Sequence, residues 1–427
     1  MIIFYKFLTI IFYPLFLIFI FVRKIFKKED PLRYKEKILP SHFKVNRINN
    51  TKLIWFHAAS IGELKSIIPI VKELNNRNKN IEFLITTITL SSSNLIKDEL
   101  KEVKKFHHRF LPIDVGFLIK KFIKLWKPDV IFLVDSEIWP NLMLEVYQFK
   151  IPIALLNARL TSKSFKRWMF FPKVAKKIFS IFDLCLCSNN ETKNFLIKLN
   201  IQNVYFKGNL KLANKIDEEK IKDVNKDYLQ KKRFWFAAST HKGEEIFCLK
   251  THLKLKEKFS DIITVIAPRH IERTNEIETL SKKFNLNVQI LNKDDHILKD
   301  KEIILVNHFG VLQNYFKYAK STFIGKSMIK KFKDKGGQNP IEAAKLKCKI
   351  YHGPYVYNFH EIYKILEENG ISKRINDYEE LSSNLIKDLE SPLKKNNQIS
   401  NSINDLGEKT LTDTMRILNN FIYNDTN

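Results

Sequence analysis

Two parallel, doubly wound α/β domains are what this sequence predicts, and three observations predict them. Short apolar runs alternate with amphipathic ones from Leu53 to about Phe206; a Lys-, Asp- and Asn-rich segment from Lys211 to Arg233 interrupts the pattern; and the alternation restarts at Phe234. Continuous apolar runs suit strands buried on both faces, and helical spacing between them supplies the crossovers that parallel neighbours need. At 427 residues the chain is long enough for two such cores. Two similar α/β halves imply a cleft between them.

Taken in order, the first 22 residues are almost wholly apolar or aromatic, broken by Lys6 and Pro14, and Arg23, Lys24, Lys27 and Lys28 follow. They read as a membrane anchor helix over residues 1–24. From Phe7 to Val22 it measures about 24 Å, a little short of the roughly 30 Å hydrocarbon core, and a snorkelling Lys6 extends it. The lack of a small-residue cleavage site and the position of the charge argue against a signal peptide. The positive flank keeps the following domain in the cytoplasm.

Residues 30–212 form the first domain. Leu53 to His57 is a strand, followed by a helix with apolar residues at Leu64, Ile67, Ile68, Val71 and Leu74. Ile81 to Ile85, Val130 to Val134, Ile153 to Leu156 and Leu184 to Cys187 read as further strands, with helices from Val115 to Trp126 and Glu191 to Leu199. Residues 213–232 read as a linker and 233–400 as the second domain. Its strands run from Phe234 to Ala238, Ile262 to Ala267, Ile303 to Val306, Thr322 to Ile324 and Lys349 to Tyr351. A C-terminal helix over 401–427, with no assigned docking, ends the chain.

Composition narrows the function classes. A net charge of +27 favours approach to phosphates, nucleic acid or an anionic membrane. No arginine-rich block or basic helix stripe stands out, so a solvated lysine surface explains the charge equally well. The four cysteines show no CxxC and no disulfide spacing, which fits a reduced compartment, and Cys185 with Cys187 reads as strand packing. There is no HExxH and no Cys/His ligand spacing, hence no metal site. Gly325-Lys326-Ser327 is not a P-loop, because Lys320 stands where the first glycine belongs, and no GxGxxG occurs.

Four stretches carry chemistry. Glu63 follows the turn Ala58 to Gly62 at the carboxyl end of the first strand, where open α/β sheets bind ligands at a helix N-terminus. Ser60 followed by Glu63 is also a capping box, and the motif alone reads as that cap. A second carboxylate, Glu137, follows the strand ending at Val134, in Asp135-Ser136-Glu137-Ile138-Trp139-Pro140-Asn141; a cap by Ser136 or Asp135, with Pro140 in the first turn, accounts for the same residues. Ala238 to Glu245 and Ala267 to His270 each join a strand to a helix, where helix N–H groups and Arg269 suit a phosphate or carboxylate. Ordinary βα turns look the same. Gly336-Gly337-Gln338-Asn339-Pro340-Ile341-Glu342 opens a helix at Pro340. It allows close backbone approach to a ligand, with Glu342 placed to accept ribose hydroxyls, or it is a plain start capped by Asn339.

HAASIGE, SEIWPN, NARL at 157–160, GNLK at 208–211, ASTHKGEE, PRH, GGQNPIEAA and GPYVYNFHEI, in this order behind the N-terminal segment, resemble the 3-deoxy-D-manno-octulosonic acid (Kdo) transferases of lipopolysaccharide assembly. The resemblance spans nearly the whole chain and reverses the preference for plain caps. It implies a GT-B glycosyltransferase with two Rossmann-like domains, the acceptor domain first and the nucleotide-sugar domain second. It implies CMP-Kdo as donor and a lipid A precursor, lipid IVA, as acceptor, at the cytoplasmic face of an anionic inner membrane, with no cofactor and no nucleic-acid partner. Residue by residue, the catalytic base falls on Glu63, the second important glutamate on Glu137 and the GNLK lysine on Lys211. CMP contacts fall on Pro268, Arg269, Asn339, Pro340, Ile341 and Glu342, and a further contact loop on Phe309, Gly310 and Val311.

This chain departs from the family pattern at four places. Phe309-Gly310-Val311 stands for a usual Met-Gly-Glu, Gln338 for a His and Lys326 for a Gly, and a lysine-rich insertion near Lys330 to Lys335 lengthens the loop before the glycine turn. The expected mechanism is an inverting displacement without a metal. Its rivals are a GT-B enzyme using another nucleotide sugar on a lipid-linked acceptor, and a non-catalytic basic protein bound to a membrane surface.

Overall fold

The apolar runs predicted as strands all form strands. In this computed structural model, which describes residues 2–48, 50–390 and 397–423, they build two seven-stranded, wholly parallel sheets. The first unit comprises Met1–Asn214 with Leu406–Asn427, the second Lys215–Asp405. In the first unit the strands are β1 (Lys52–His57), β2 (Ile81–Thr87), β3 (Phe106–Phe110), β4 (Val130–Val134), β5 (Ile153–Ala158), β6 (Leu184–Cys187) and β7 (Val204–Phe206). Their spatial order is β3-β2-β1-β4-β5-β6-β7. In the second unit β8 (Phe234–Thr240), β9 (Ile263–Pro268), β10 (Val288–Leu291), β11 (Ile303–Val306), β12 (Ser321–Ile324), β13 (Lys349–His352) and β14 (Ser372–Arg374) run in the order β10-β11-β9-β8-β12-β13-β14. Each is an open sheet with crossover helices, the GT-B pattern of two doubly wound domains.

The expected single anchor helix is corrected. The N-terminus forms two helices, α1 (Ile2–Ile11) and α2 (Tyr13–Ile25), bent by 56°. Pro14 lies in the first turn of α2, where it lacks an N–H to continue the ladder of α1. Among the described residues no single helix is long and apolar enough to cross a membrane; only the bent pair reaches that length and composition. Nor does Lys6 snorkel: its ammonium pairs with Glu145 at 3.2 Å. The Tyr5 hydroxyl donates to Asp114 at 2.9 Å, and the Asn141 amide donates to Thr9 Oγ1 at 3.1 Å. These polar contacts dock the inner side of α1 on the first unit and leave Phe4, Phe7, Phe12, Leu15, Ile18 and Phe19 exposed.

The segment expected as a linker is packed on the second unit. Lys317 Nζ donates to the carbonyls of Glu218 and Ile221, and Asn225 Nδ2 to that of Asp295. The last helix, Asn397–Tyr423, returns to the first unit. Its Met415, Leu418 and Ile422 join the core that holds Ile54 and Phe56 of β1 and Leu64 and Ile67 of α3 (Ile61–Arg77). Gly407 in this helix lies so close to the Leu212 carbonyl that a Cβ there falls 2.2 Å from its oxygen. The helix therefore fixes the loop that carries Lys211. Residues 391–396 of the expected second domain and 424–427 of the expected last helix lie outside the described residues.

Candidate active site

In the first sheet the strand order reverses direction between β1 and β4, and an open α/β sheet presents its crevice at the carboxyl ends of such a pair. β1 and β4 pair in register from Ile54 with Val130 to His57 with Leu133, so the loops after them emerge side by side. One loop carries Glu63 and the other Glu137.

Glu63 sits in the first turn of α3 and closes a capping box. Ser60 Oγ accepts the Glu63 N–H at 3.4 Å, while the Glu63 carboxylate accepts the Ala59 N–H at 2.7 Å and the Ser60 hydroxyl at 2.8 Å. The cap is real, and it does not neutralise the carboxyl. Burial pushes its pKa up, and the nearby charges of Glu137 and Asp135 push it further, against the bonds from Ser60 and Ala59.

Glu137 is displaced the other way. Burial raises it, but His57 and the Trp139 indole N–H, 2.9 Å from Oε2, bring it below the usual carboxylate range. His57 is fully buried, with Nε2 3.5 Å from Glu137 Oε2 and Nδ1 2.9 Å from Thr86 Oγ1. Thr86 Oγ1 also accepts the Trp55 indole N–H at 2.9 Å, and the Thr86 carbonyl oxygen lies 3.2 Å from His57 Nδ1, so the ring is held on its Nδ1 side by Thr86 and presents Nε2 to Glu137. Two carboxyls at one crevice with displacements of opposite sign are the mark of an acid–base site.

Lys211 joins them through Asp135, which accepts from its ammonium at 3.2 Å. Asp135 is buried and left-handed at φ +60°, a conformation that costs a non-glycine residue energy and collects at functional sites. The Asn157 side chain at the end of β5 accepts the Leu210 N–H at 2.9 Å, and Asn209 accepts the Lys211 N–H at 3.0 Å. Neither Ser136 nor Asp135 caps the helix Pro140–Gln148. The Asp114 carboxylate does so from another loop, accepting from Asn141 N and Leu142 N at 3.0 and 2.9 Å. His57, Asp135, Asn157 and Asp114 were not singled out in the sequence as members of this site. A histidine closing an apolar strand and an aspartate just past another were the available signals.

The second unit gathers its predicted residues at the carboxyl ends of its strands. Pro268 is buried at the end of β9, and Arg269 is exposed beyond it, its N–H donating to the Thr240 carbonyl at 3.0 Å. Phe309 and Gly310 are exposed and Val311 half-buried where the helix Leu312–Tyr318 begins. Val311 lines a polar pocket of about 200 Å³ with His308 and Asn314. Gln313 in that helix donates to Glu342 Oε1 at 3.0 Å, linking this loop to the 339–342 run. Glu342 is thus oriented by Gln313 through one oxygen. Asn339 is exposed and accepts the Ile341 N–H at 3.1 Å, whereas Pro340 and Ile341 are buried.

The ASTHKGEE loop differs from a plain anion cradle. Buried Glu244 accepts four backbone N–H groups, from His241, Lys326, Ser327 and Met328, at 2.7 to 3.0 Å. Glu245 accepts from Arg273 at 2.8 Å. Glu244 thus locks the loop after β8 to the loop after β12, and in the 238–245 loop the His241 and Gly243 N–H groups are taken by Glu244 and Glu245.

A family described as "3-Deoxy-D-manno-octulosonic-acid transferase (kdotransferase)" matches residues 33–214. A 3-deoxy-D-manno-octulosonic acid transferase of Rickettsia bellii is 30% identical over 98% of this chain and 99% of its own length. A probable mitochondrial one of Arabidopsis thaliana is 31% identical over 74% of this chain and 72% of its own. Among solved structures, the UDP-GlcNAc 2-epimerase of Neisseria meningitidis bound to UDP-GlcNAc aligns with a TM-score of 0.58 at 14% identity, over 87% of this chain and all of that one. That likeness is one of fold.

Proposed function

Since the chain belongs to the 3-deoxy-D-manno-octulosonic acid (Kdo) transferases, glycosyltransferases of lipopolysaccharide synthesis, we propose that its donor is CMP-Kdo, its acceptor is the lipid A precursor lipid IVA, and its reaction is an inverting displacement. Ionised Glu63 takes the proton of the acceptor hydroxyl as that oxygen attacks the anomeric carbon of Kdo. CMP leaves from the opposite face with the electron pair of the broken bond, so configuration inverts. A carboxylate whose pKa is raised is a stronger base than an ordinary one, which is what burial first, and then the charges of Glu137 and Asp135, give Glu63. Lys211 and Arg269 supply positive charge to the anionic groups of the donor. Pro268, the Phe309-Gly310-Val311 loop and the 339–342 run belong to the donor contacts.

Attachment to the cytoplasmic face of an anionic inner membrane is part of the same proposal. The exposed apolar side of α1 and α2, the four cations that follow and the net charge of +27 support it.

The observation that carries the reading is the pair Glu63 and Glu137, displaced in opposite directions at the reversal of the first sheet. Mass spectrometry of lipid IVA incubated with the protein and CMP-Kdo tests it, and a gain of one or more Kdo masses is expected. Transfer from another nucleotide sugar in preference to CMP-Kdo would replace the donor. Salt-sensitive lipid binding without turnover would overturn the reading.

A further inference from the structure

Within the first unit, the inner side of α1 and α2 does not close fully on the domain. Between them lies a cavity of about 380 Å³, walled chiefly by apolar groups that include Phe16, Phe19, Ile88, Leu111 and Ile113. That is within the range of sites that enclose a small apolar ligand. Phe19 lines the cavity and is 57% exposed on the outer apolar face, so the cavity opens where that face begins. Trp139 forms another part of the wall, and its indole N–H is the group that donates to Glu137 at 2.9 Å. The cavity therefore runs from the apolar surface to the back of the carboxylate site.

Its polar lining falls into two groups. Near one are Tyr5 and Asp114, bonded to each other. The other holds Arg23 and Lys37, which share the carboxylate of Glu29; Lys37 and Glu29 are buried, and Arg23 is the partly exposed cation of the group.

We propose that this cavity takes one acyl chain of the phosphorylated lipid acceptor and so sets the depth at which the acceptor hydroxyl meets Glu63; the inference rests on the lipid-acceptor reading above. The apolar walls suit a hydrocarbon chain, the partly exposed Arg23 guanidinium has donors to offer a phosphate on the same molecule, and the shared Trp139 wall ties the occupant to the reacting site. That last feature favours the acceptor over a chain of the surrounding bilayer, whose phospholipids also carry a phosphate.

Two arms test it on the full-length protein. Ile88→Trp fills the cavity, and the ratio of kcat/KM for lipid IVA to that for its deacylated disaccharide should fall about ten-fold. An unchanged ratio in a folded variant overturns the proposal. Independently of activity or of that variant's folding, wild-type protein is photolysed with lipid IVA bearing a diazirine on an acyl chain. Labelling should map to peptides containing Phe16, Ile88 and Ile113. Label confined to exposed Phe4, Phe7 and Phe12, or equal labelling of the cavity by a diazirine phospholipid, overturns it. If wild type modifies neither acceptor, the transferase reading fails, and the labelling still decides the occupant.

Discussion

Replacing Glu63 by Gln keeps the cap and removes the base. The amide oxygen can accept from Ala59 N–H while the amide nitrogen donates to Ser60 Oγ, so the fold should hold. Transfer should drop by about 10² to 10⁴ fold, with CMP binding by calorimetry unchanged. The stability effect has a definite sign. A carboxyl whose folded pKa is raised binds its proton more tightly folded than unfolded, so ionising it costs stability as pH rises from the ordinary value through the raised one. Glu63→Gln should therefore be at least as stable as the parent at pH 7, the difference vanishing below about pH 4, as urea unfolding at the two pH values would show. Near-normal turnover by the folded variant would remove Glu63 from the chemistry. Glu137→Gln probes the same pair through pH. Because Glu63 must be ionised to act, the rate rises with pH through its raised pKa, and losing the Glu137 charge should slide that acidic limb to lower pH. A limb that stays put would belong to another group.

At the scale of elements, loops and edges decide most of what matters. Glu244→Ala would orphan four backbone N–H groups in a buried place, and a loss of at least about 3 kcal/mol in urea unfolding is expected. An effect under about 1 kcal/mol would mean that water replaces the carboxylate. The strands absent from the sequence reading are β3, β7, β10 and β14, the four sheet edges. An edge strand has one neighbour and partial exposure, so it carries polar residues such as His107 and Arg109 of β3 or Lys373 of β14, and the apolar signal fades. Central strands such as β4, buried along their whole length, were legible for the opposite reason. Lys326, noted as standing where the family has glycine, is left-handed at φ +60°; the family's glycine fits that backbone without strain.

For the whole molecule, the N-terminal pair serves as part of the first unit as well as its apolar surface. Lys6→Ala should cost about 1 kcal/mol of stability, modest because Lys6 is partly exposed, yet measurable because it leaves buried Glu145 without its cation. A surface lysine with no partner would cost nothing in the same unfolding experiment. Topology is open to a direct check: protease outside intact spheroplasts should leave both units uncut, and their degradation would reverse the proposed orientation.

The sequence by itself determined the class of fold, the central strands and the order of motifs, and the roles expected of Glu63, Glu137 and Lys211 rest on the resemblance those motifs carry. The strands depend on local pattern, because a fully buried parallel strand must be apolar and the turn after it must be short. What only the tertiary structure decided depends on residues far apart in the chain. It broke the anchor at Pro14 and bound α1 to Asp114 and Glu145, brought the last helix back against the loop of Lys211, and set His57 beside Glu137. No spacing in the sequence records which partner a buried charge will find. That choice is made when two distant segments fold together and each polar group they bury must be satisfied.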